Sequence, residues 1–137
     1  MRVVFVGINN NFVKEFAKEF ASELEINYID FDEKLDAYLI LQKVSTLQAA
    51  NEEFLTLEEL LIKQLLNADN FVMSISNEIY LSNEHCKLFE NAITIMLEKK
   101  EDDKILINIQ KLLKKHCKFA IKQEKIEMKK ILNIVKG

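Results

Sequence analysis

The 137-residue chain can form one domain with one sizeable core, and its composition (49% hydrophobic, 30% charged, net charge −3) is that of an ordinary globular protein. No apolar run approaches the ~20 residues that a membrane span needs, and the opening Met1–Val6 is too short an apolar run for a secretory signal. Cys86 and Cys117 make no disulfide framework, so both are expected as reduced thiols in a cytoplasmic protein.

Three scarcities exclude more. The chain has no proline, only Gly7 and the terminal Gly137 as glycines, and Arg2 as its one arginine. A loop that wraps phosphates with backbone N–H groups usually needs several glycines. Bidentate capture of carboxylate or phosphate is mainly an arginine task. Composition therefore weighs against phosphoryl transfer, although genomic base composition alone would also favour lysine over arginine.

Charge is divided along the chain. Residues 1–98 carry a net −10 and residues 99–137 a net +7. A basic third could meet an anionic partner. The plainer reading is lysines on the solvated faces of two helices. With Phe119 as its single aromatic and no arginine, the segment disfavours nucleic acid.

In chain order, Arg2–Val6 reads as a short buried strand and Gly7–Asn11 as a turn. Phe12, Phe16, Phe20 and Leu24 recur every four residues, which predicts an amphipathic helix over 12–24. Ile26–Asp30 is a second strand. Asp32 is the expected cap of a helix through Leu35, Leu39 and Lys43, and Ser45–Gln48 the cap of one through Phe54, Leu57, Leu61 and Leu65. Phe71–Ser76 is a third strand, Ser82 opens a short helix through Leu88 and Phe89, and Ala92–Leu97 is a fourth strand. Asp102 or Asp103 starts a helix carrying Ile105, Ile109, Leu112 and Leu113. Lys118–Lys122 is a short fifth strand, and Ile126–Val135 a last helix.

Apolar strands alternating with helices predict an α/β fold: a three-layer sandwich around a roughly five-stranded parallel sheet, with residues 1–137 as a single domain. Ligands of such sheets bind beyond the carboxyl ends of the strands. The corresponding loops are Gly7–Asn11, Asp30–Glu33, Ser76–Tyr80 and Glu98–Asp102.

The opening strand, the Gly7 turn and the helix after it look like the start of a P-loop kinase. Glu15–Asp32 can be laid without a gap on the segment after the phosphate loop of shikimate kinase, ending in Asp30-Phe31-Asp32 where that family has Asp-x-Asp. Phe54-Leu55-Thr56-Leu57-Glu58 is similar to its Phe-Arg-x-Leu-Glu. Val72–Leu81 falls where the family has a strand, three glycines and a short apolar run, and Ile95-Met96-Leu97 resembles its next strand. The chain thus resembles the shikimate kinase family over about residues 1–98, by spacing and apolar pattern rather than by signature.

The resemblance shows what is missing. A phosphate loop of the form Gly-x-x-x-x-Gly-Lys-Ser/Thr needs glycines for the cradle, lysine for the β/γ-phosphates and a hydroxyl for Mg²⁺. Gly7 matches the first glycine, but Phe12, Val13 and Lys14 stand at the second glycine, the lysine and the hydroxyl. Asn9, Asn10 and Asn11 tolerate the left-handed region best among non-glycine residues, so they are expected to keep something of the loop's shape. Lys14 is one residue late, and one helical step turns a side chain ~100° away. The resemblance assigns Asp30 to the metal and Asp32 to the substrate hydroxyls; the alternative is that Asp32 caps a helix and Asp30 ends a strand in water. Leu55 replaces the arginine for the substrate carboxylate, and Ser76-Asn77-Glu78 replace the three glycines, leaving Asn77 as a weak substrate contact and Glu78 as a charge opposed to an acid. The arginine-bearing lid is missing.

His85-Cys86 and His116-Cys117 invite a zinc reading, but adjacent helical residues diverge by ~100° and a zinc site needs convergence. A core thiol beside a surface imidazole is the expectation. The sequence therefore points to a catalytically degenerate relative that binds or interacts, with no cofactor. A protein partner and a second copy of the chain are both open as partners. The rival is a small-molecule kinase using ATP, with Mg²⁺ on Asp30 and lysines in place of arginines.

Overall fold

A computed structural model describes the backbone of residues 1–41 and 52–137 and the side chains of 1–41 and 57–137. The valine-rich segment Arg2–Val6 forms β1 at the centre of a five-stranded sheet with Asn27–Asp30 (β2), Phe71–Ser74 (β3), Ile93–Glu98 (β4) and Phe119–Lys122 (β5). The order is β2-β3-β1-β4-β5 and every pairing is parallel. Between the strands run Asn10–Leu24 (α1), Phe31–Leu41 (α2), Glu52–Leu66 (α3), Asn77–Leu81 (α4) and Lys104–His116 (α5), and Met128–Lys136 (α6) closes the chain. A 3-10 segment, Ser82–Phe89, follows α4. The α/β sandwich expected from the alternation is what forms.

Successive strand residues point to opposite faces, and both faces are buried. Val4, Val6, Met73 and Met96 pack under Phe31, Leu35, Ile62, Tyr80 and Leu113 on one side. Val3, Phe5, Ile95 and Leu97 pack against α1 and α6 on the other. The phenylalanines at helical spacing are core: Phe16 and Phe20 meet Phe5 edge to face, with ring centroids 5.4 and 5.2 Å away.

Several boundaries differ from the sequence reading. Helix α1 begins at Asn10, so the turn is Gly7–Asn9 and the cap is Asn9, whose Oδ1 accepts from the Phe12 N–H at 3.2 Å. No asparagine of this turn is left-handed; among the described non-glycine residues, positive φ occurs instead at Glu25, Asn70, Asn83 and Glu84. Asp30, not Asp32, caps α2: its Oδ1 accepts from the Glu33 N–H at 3.2 Å. The expected loops at Asp30–Glu33 and Ser76–Tyr80 are both helical starts, the second because Ser76 caps α4 through the Ile79 N–H. Strand β3 accordingly ends at Ser74, since Ser76 is taken up by that cap. His85 is buried rather than a surface imidazole, with only 3% of its area exposed. The expected cap at Ser45–Gln48 and the continuation to Lys43 lie outside the described residues.

Gly7 serves close approach rather than positive φ. A Cβ there would stand 2.7 Å from the Leu97 carbonyl oxygen and 3.0 Å from Val13 Cγ2. Backbone cannot yield as a side-chain tip can, so Gly7→Ala is expected to cost about 1–3 kcal/mol. Glu25, the left-handed cap of α1 at φ 56°, sits where glycine is the unstrained choice. Glu25→Gly should raise stability by about 1 kcal/mol. Urea or thermal unfolding of the two variants checks both signs.

Candidate functional site

The carboxyl ends of β1, β2 and β3 bring together most of the residues singled out from the sequence. After β1 the chain makes only the Gly7–Asn9 turn before α1. Asn10 and Asn11 therefore sit in the helix's first turn rather than in a wide loop. From α4, Asn77 Nδ2 donates to the Gly7 carbonyl at 3.1 Å and reaches Asn10 Oδ1 at 3.5 Å. Asn10 Nδ2 in turn donates to Glu78 Oε2 at 3.4 Å. The turn is thus cross-braced from the neighbouring strand's helix.

The first turns of α1 decide where the other candidates go. Val13 is 2% exposed and packs in the core. Lys14, one residue on, points across to the end of β2 and pairs with Asp30 Oδ2 at 3.6 Å. A partly exposed pair of this kind contributes at most about 1 kcal/mol. With Oδ1 on the Glu33 N–H and Oδ2 on Lys14, Asp30 has a partner for each oxygen. A cation at Asp30 would share the carboxylate with both of them.

Asp32 lies in the first turn of α2, and its Oδ1 accepts from the Ser76 N–H at 3.2 Å. Burial raises its carboxyl pKa above the ordinary value, against the lowering effects of Ser76 and Lys14. Nearby, the Tyr28 hydroxyl and Ser74 Oγ are 2.7 Å apart. The Tyr28 pKa is raised, first by burial, while the Ser74 hydrogen bond lowers it and the carboxylates of Asp30, Glu33 and Asp32 add to the rise. Thus Asp30, Asp32 and Lys14 form one polar group, and Gly7, Asn10 and Asn77 a second beside it. Asn9 is absorbed in capping, and Asn11 makes no side-chain hydrogen bond among the described residues.

Glu58 was visible in the sequence only as part of a resembling segment, and His85 only in a His-Cys pair. The structure buries both, at 5% and 3% exposure, with Glu58 Oε1 3.6 Å from His85 Nδ1. Nδ1 is 3.0 Å from the Ile79 carbonyl, so its proton goes there, and Glu58 Oε1 has no hydrogen-bond partner. Burial raises the Glu58 pKa, with His85 opposing. No local sequence signal pairs residues 27 positions apart. Leu55 lies among the side chains outside the described set. Burial pushes the Cys117 thiol up to about 11. Among the described residues no group of three or more His, Cys, Asp or Glu could hold a metal, and no helix is long and apolar enough to cross a membrane.

A parallel sheet of order β2-β3-β1-β4-β5, with a turn-to-helix start after its central strand, is the architecture of the P-loop kinases. The family model for shikimate kinase matches residues 14–132, and the chain belongs to that family. The matched stretch starts at Lys14, beyond the Gly7–Val13 turn and helix start. No curated protein matches the sequence at a significant level. Among solved structures, shikimate kinase from Aquifex aeolicus superposes with a TM-score of 0.75 at 19% identity, covering 100% of this chain and 97% of that one. Shikimate kinase from Bacteroides thetaiotaomicron gives 0.73 at 14% identity, covering 100% and 99%. The enzyme from Acinetobacter baumannii, in complex with shikimate, gives 0.68 at 12%, covering 98% and 93%. At these identities the structural likeness establishes the fold.

A raised carboxyl pKa favours the folded state most below the unfolded value of 3.8, and that contribution is lost as pH rises through the folded pKa. Asp32→Asn keeps an acceptor for Ser76 and removes the buried charge. It should melt higher than the parent at pH 7–8, with the gap closing under acid conditions. Asn77→Ala leaves the Gly7 carbonyl without its partner and should cost about 1–2 kcal/mol at any pH.

Proposed function

We propose that this member of the shikimate kinase family does not transfer phosphoryl groups and works as a binding or interaction module, within a single domain in the cytoplasm, without a nucleotide or metal cofactor. The observation that carries the reading is the turn after β1. Only three residues separate the strand from helix α1, and Asn77 and Glu78 brace its first turn from outside. A phosphate cradle needs backbone N–H groups splayed around an anion and a lysine reaching over it. Here the side chain at the lysine's place is Val13, in the core, and Lys14 is turned to Asp30.

The charge balance around this end of the sheet supports the same reading. Asp30, Asp32, Glu78 and the buried Glu58 lie on or beneath the face that would meet an acidic substrate, with Lys14 as the one lysine paired into the group among the described residues. Such a surface opposes a carboxylate. Preorganised positive charge at the transferring phosphoryl group is most of what a phosphotransferase supplies, and Val13 and Leu55 stand where the resemblance places the phosphate-loop lysine and the substrate arginine.

The test is direct. Purified chain with Mg·ATP and shikimate should release no ADP above background, and none of ATP, ADP or shikimate should shift its melting temperature. A ligand at 100 times its Kd would stabilise by about 2.7 kcal/mol, well within detection. Turnover that disappears in Asp30→Asn would replace this reading with that of a kinase using an unconventional phosphate site.

A further inference from the structure

The end of the sheet opposite the Gly7 turn carries a cavity of its own. It has a volume of about 440 Å³ and opens at the amino ends of β1 and β4, a size that suits a small molecule. Arg2, Lys63, Asn67 and Asn91 supply its polar lining, and Leu66, Leu88 and Ala92 its apolar lining. These residues come from the start of β1, the end of α3, and the chain that leads from the 3-10 segment into β4. Ala92 is buried, and Leu66 and Leu88 pack against the same core cluster, so the apolar lining is that core reaching the surface.

Hydrogen bonds fix the frame. As α3 ends, the Asn67 and Ala68 N–H groups donate to the Gln64 and Leu65 carbonyls at 3.3 and 3.2 Å. Ahead of β4, the Ala92 N–H donates to the Phe89 carbonyl at 3.0 Å, and Lys118 Nζ donates to the Glu90 carbonyl at 2.8 Å. Arg2, the chain's one arginine, is held along one side of its guanidinium. Its Nε donates to the Ala68 carbonyl at 3.0 Å and its Nη2 to Asp69 Oδ1 at 3.1 Å. Nη1 and the second N–H of Nη2 form the end-on fork of the group, and that fork has no partner among the described residues. A guanidinium pinned in this way is ordered before any ligand arrives, which lowers the cost of binding one.

Charge decides the kind of ligand. Asp69 pairs with Arg2 and Glu59 with Lys63, so the rim is close to neutral and does not attract a polyanion. We propose that this cavity binds a small monocarboxylic acid with a hydrocarbon chain or ring. Its carboxylate sits on the free fork of Arg2 and its apolar part against Leu66, Leu88 and Ala92. Further anionic groups on a ligand would approach Asp69 and Glu59, and ring hydroxyls would lose water against the apolar lining. Those two penalties set such an acid apart from ATP, ADP and shikimate. The site goes beyond the reading of the Gly7–Asp30–Asp32 region, and nothing in it depends on whether phosphoryl transfer occurs.

The full chain is titrated with 3-phenylpropanoate and, separately, with its neutral analogue 3-phenylpropanamide, and amide NMR shifts locate the binding. Saturable shifts are expected for the acid at residues 2, 63–69 and 88–92, with a Kd of about 0.1–10 mM for a ligand of this size. The amide should bind at least about tenfold more weakly. Arg2→Lys keeps the charge but loses the fork, and should weaken binding about tenfold. Asn91→Asp sets a like charge on the lining and should do the same. Lys111→Ala, on α5, leaves the affinity unchanged. Because Arg2 also holds Ala68 and Asp69, Asn91→Asp with a parental melting temperature carries the test if Arg2→Lys melts lower. The proposal is overturned by no saturable shift up to about 50 mM acid, by shifts confined to residues 7–14 and 30–33, or by equal affinity for acid and amide. Unchanged affinity in folded Asn91→Asp would overturn it as well.

Discussion

The architecture turns on the close passage of Gly7 over the end of β4. Because it has no Cβ, the chain leaving β1 can pass against the Leu97 carbonyl and enter α1 almost at once. That early entry sets the phase of the helix. It puts Val13, Phe16 and Phe20 onto Phe5 and the buried face of the sheet, and it turns Lys14 toward β2. The same carbonyl of Gly7 receives Asn77, which ties α4 to the turn. A wider loop would release all three arrangements together.

The polar residues at this end of the sheet therefore read as a braced structural joint with acidic residues around it. Asp30 is spent on a cap and an ion pair, Asp32 on the Ser76 backbone, and Asn77 on Gly7. Elsewhere, toward the other side of the sheet's carboxyl edge, β4, β5 and α5 gather five lysines that have no ion pair among the described residues. Family membership and the placement of polar groups are thus separable. The fold of a shikimate kinase is kept, and the polar groups at the end of β1 are bonded to one another.

How much was legible beforehand depended on whether the signal was local. Strand β1 was readable because Val3–Val6 is a continuous apolar run, and α1 because phenylalanines recur with the helical period. The start of α1 was misplaced by two residues because three consecutive asparagines suit a turn and a cap equally well. The cap of α2 was assigned to Asp32 because a single sequence gives no way to choose between two aspartates two apart. Helix α4 was missed because it is five residues long, too short for any periodicity to show.

By itself the sequence determined the α/β class, the family likeness and the poverty in glycine and arginine, since periodicity and composition are properties of the chain alone. The tertiary structure decided that Gly7 is required by a neighbouring backbone, that Lys14 answers Asp30, and that Glu58 and His85 are buried face to face. It also decided that five scattered lysines share one cavity. Those facts depend on distances between residues far apart in sequence, which only the closing of the sheet defines.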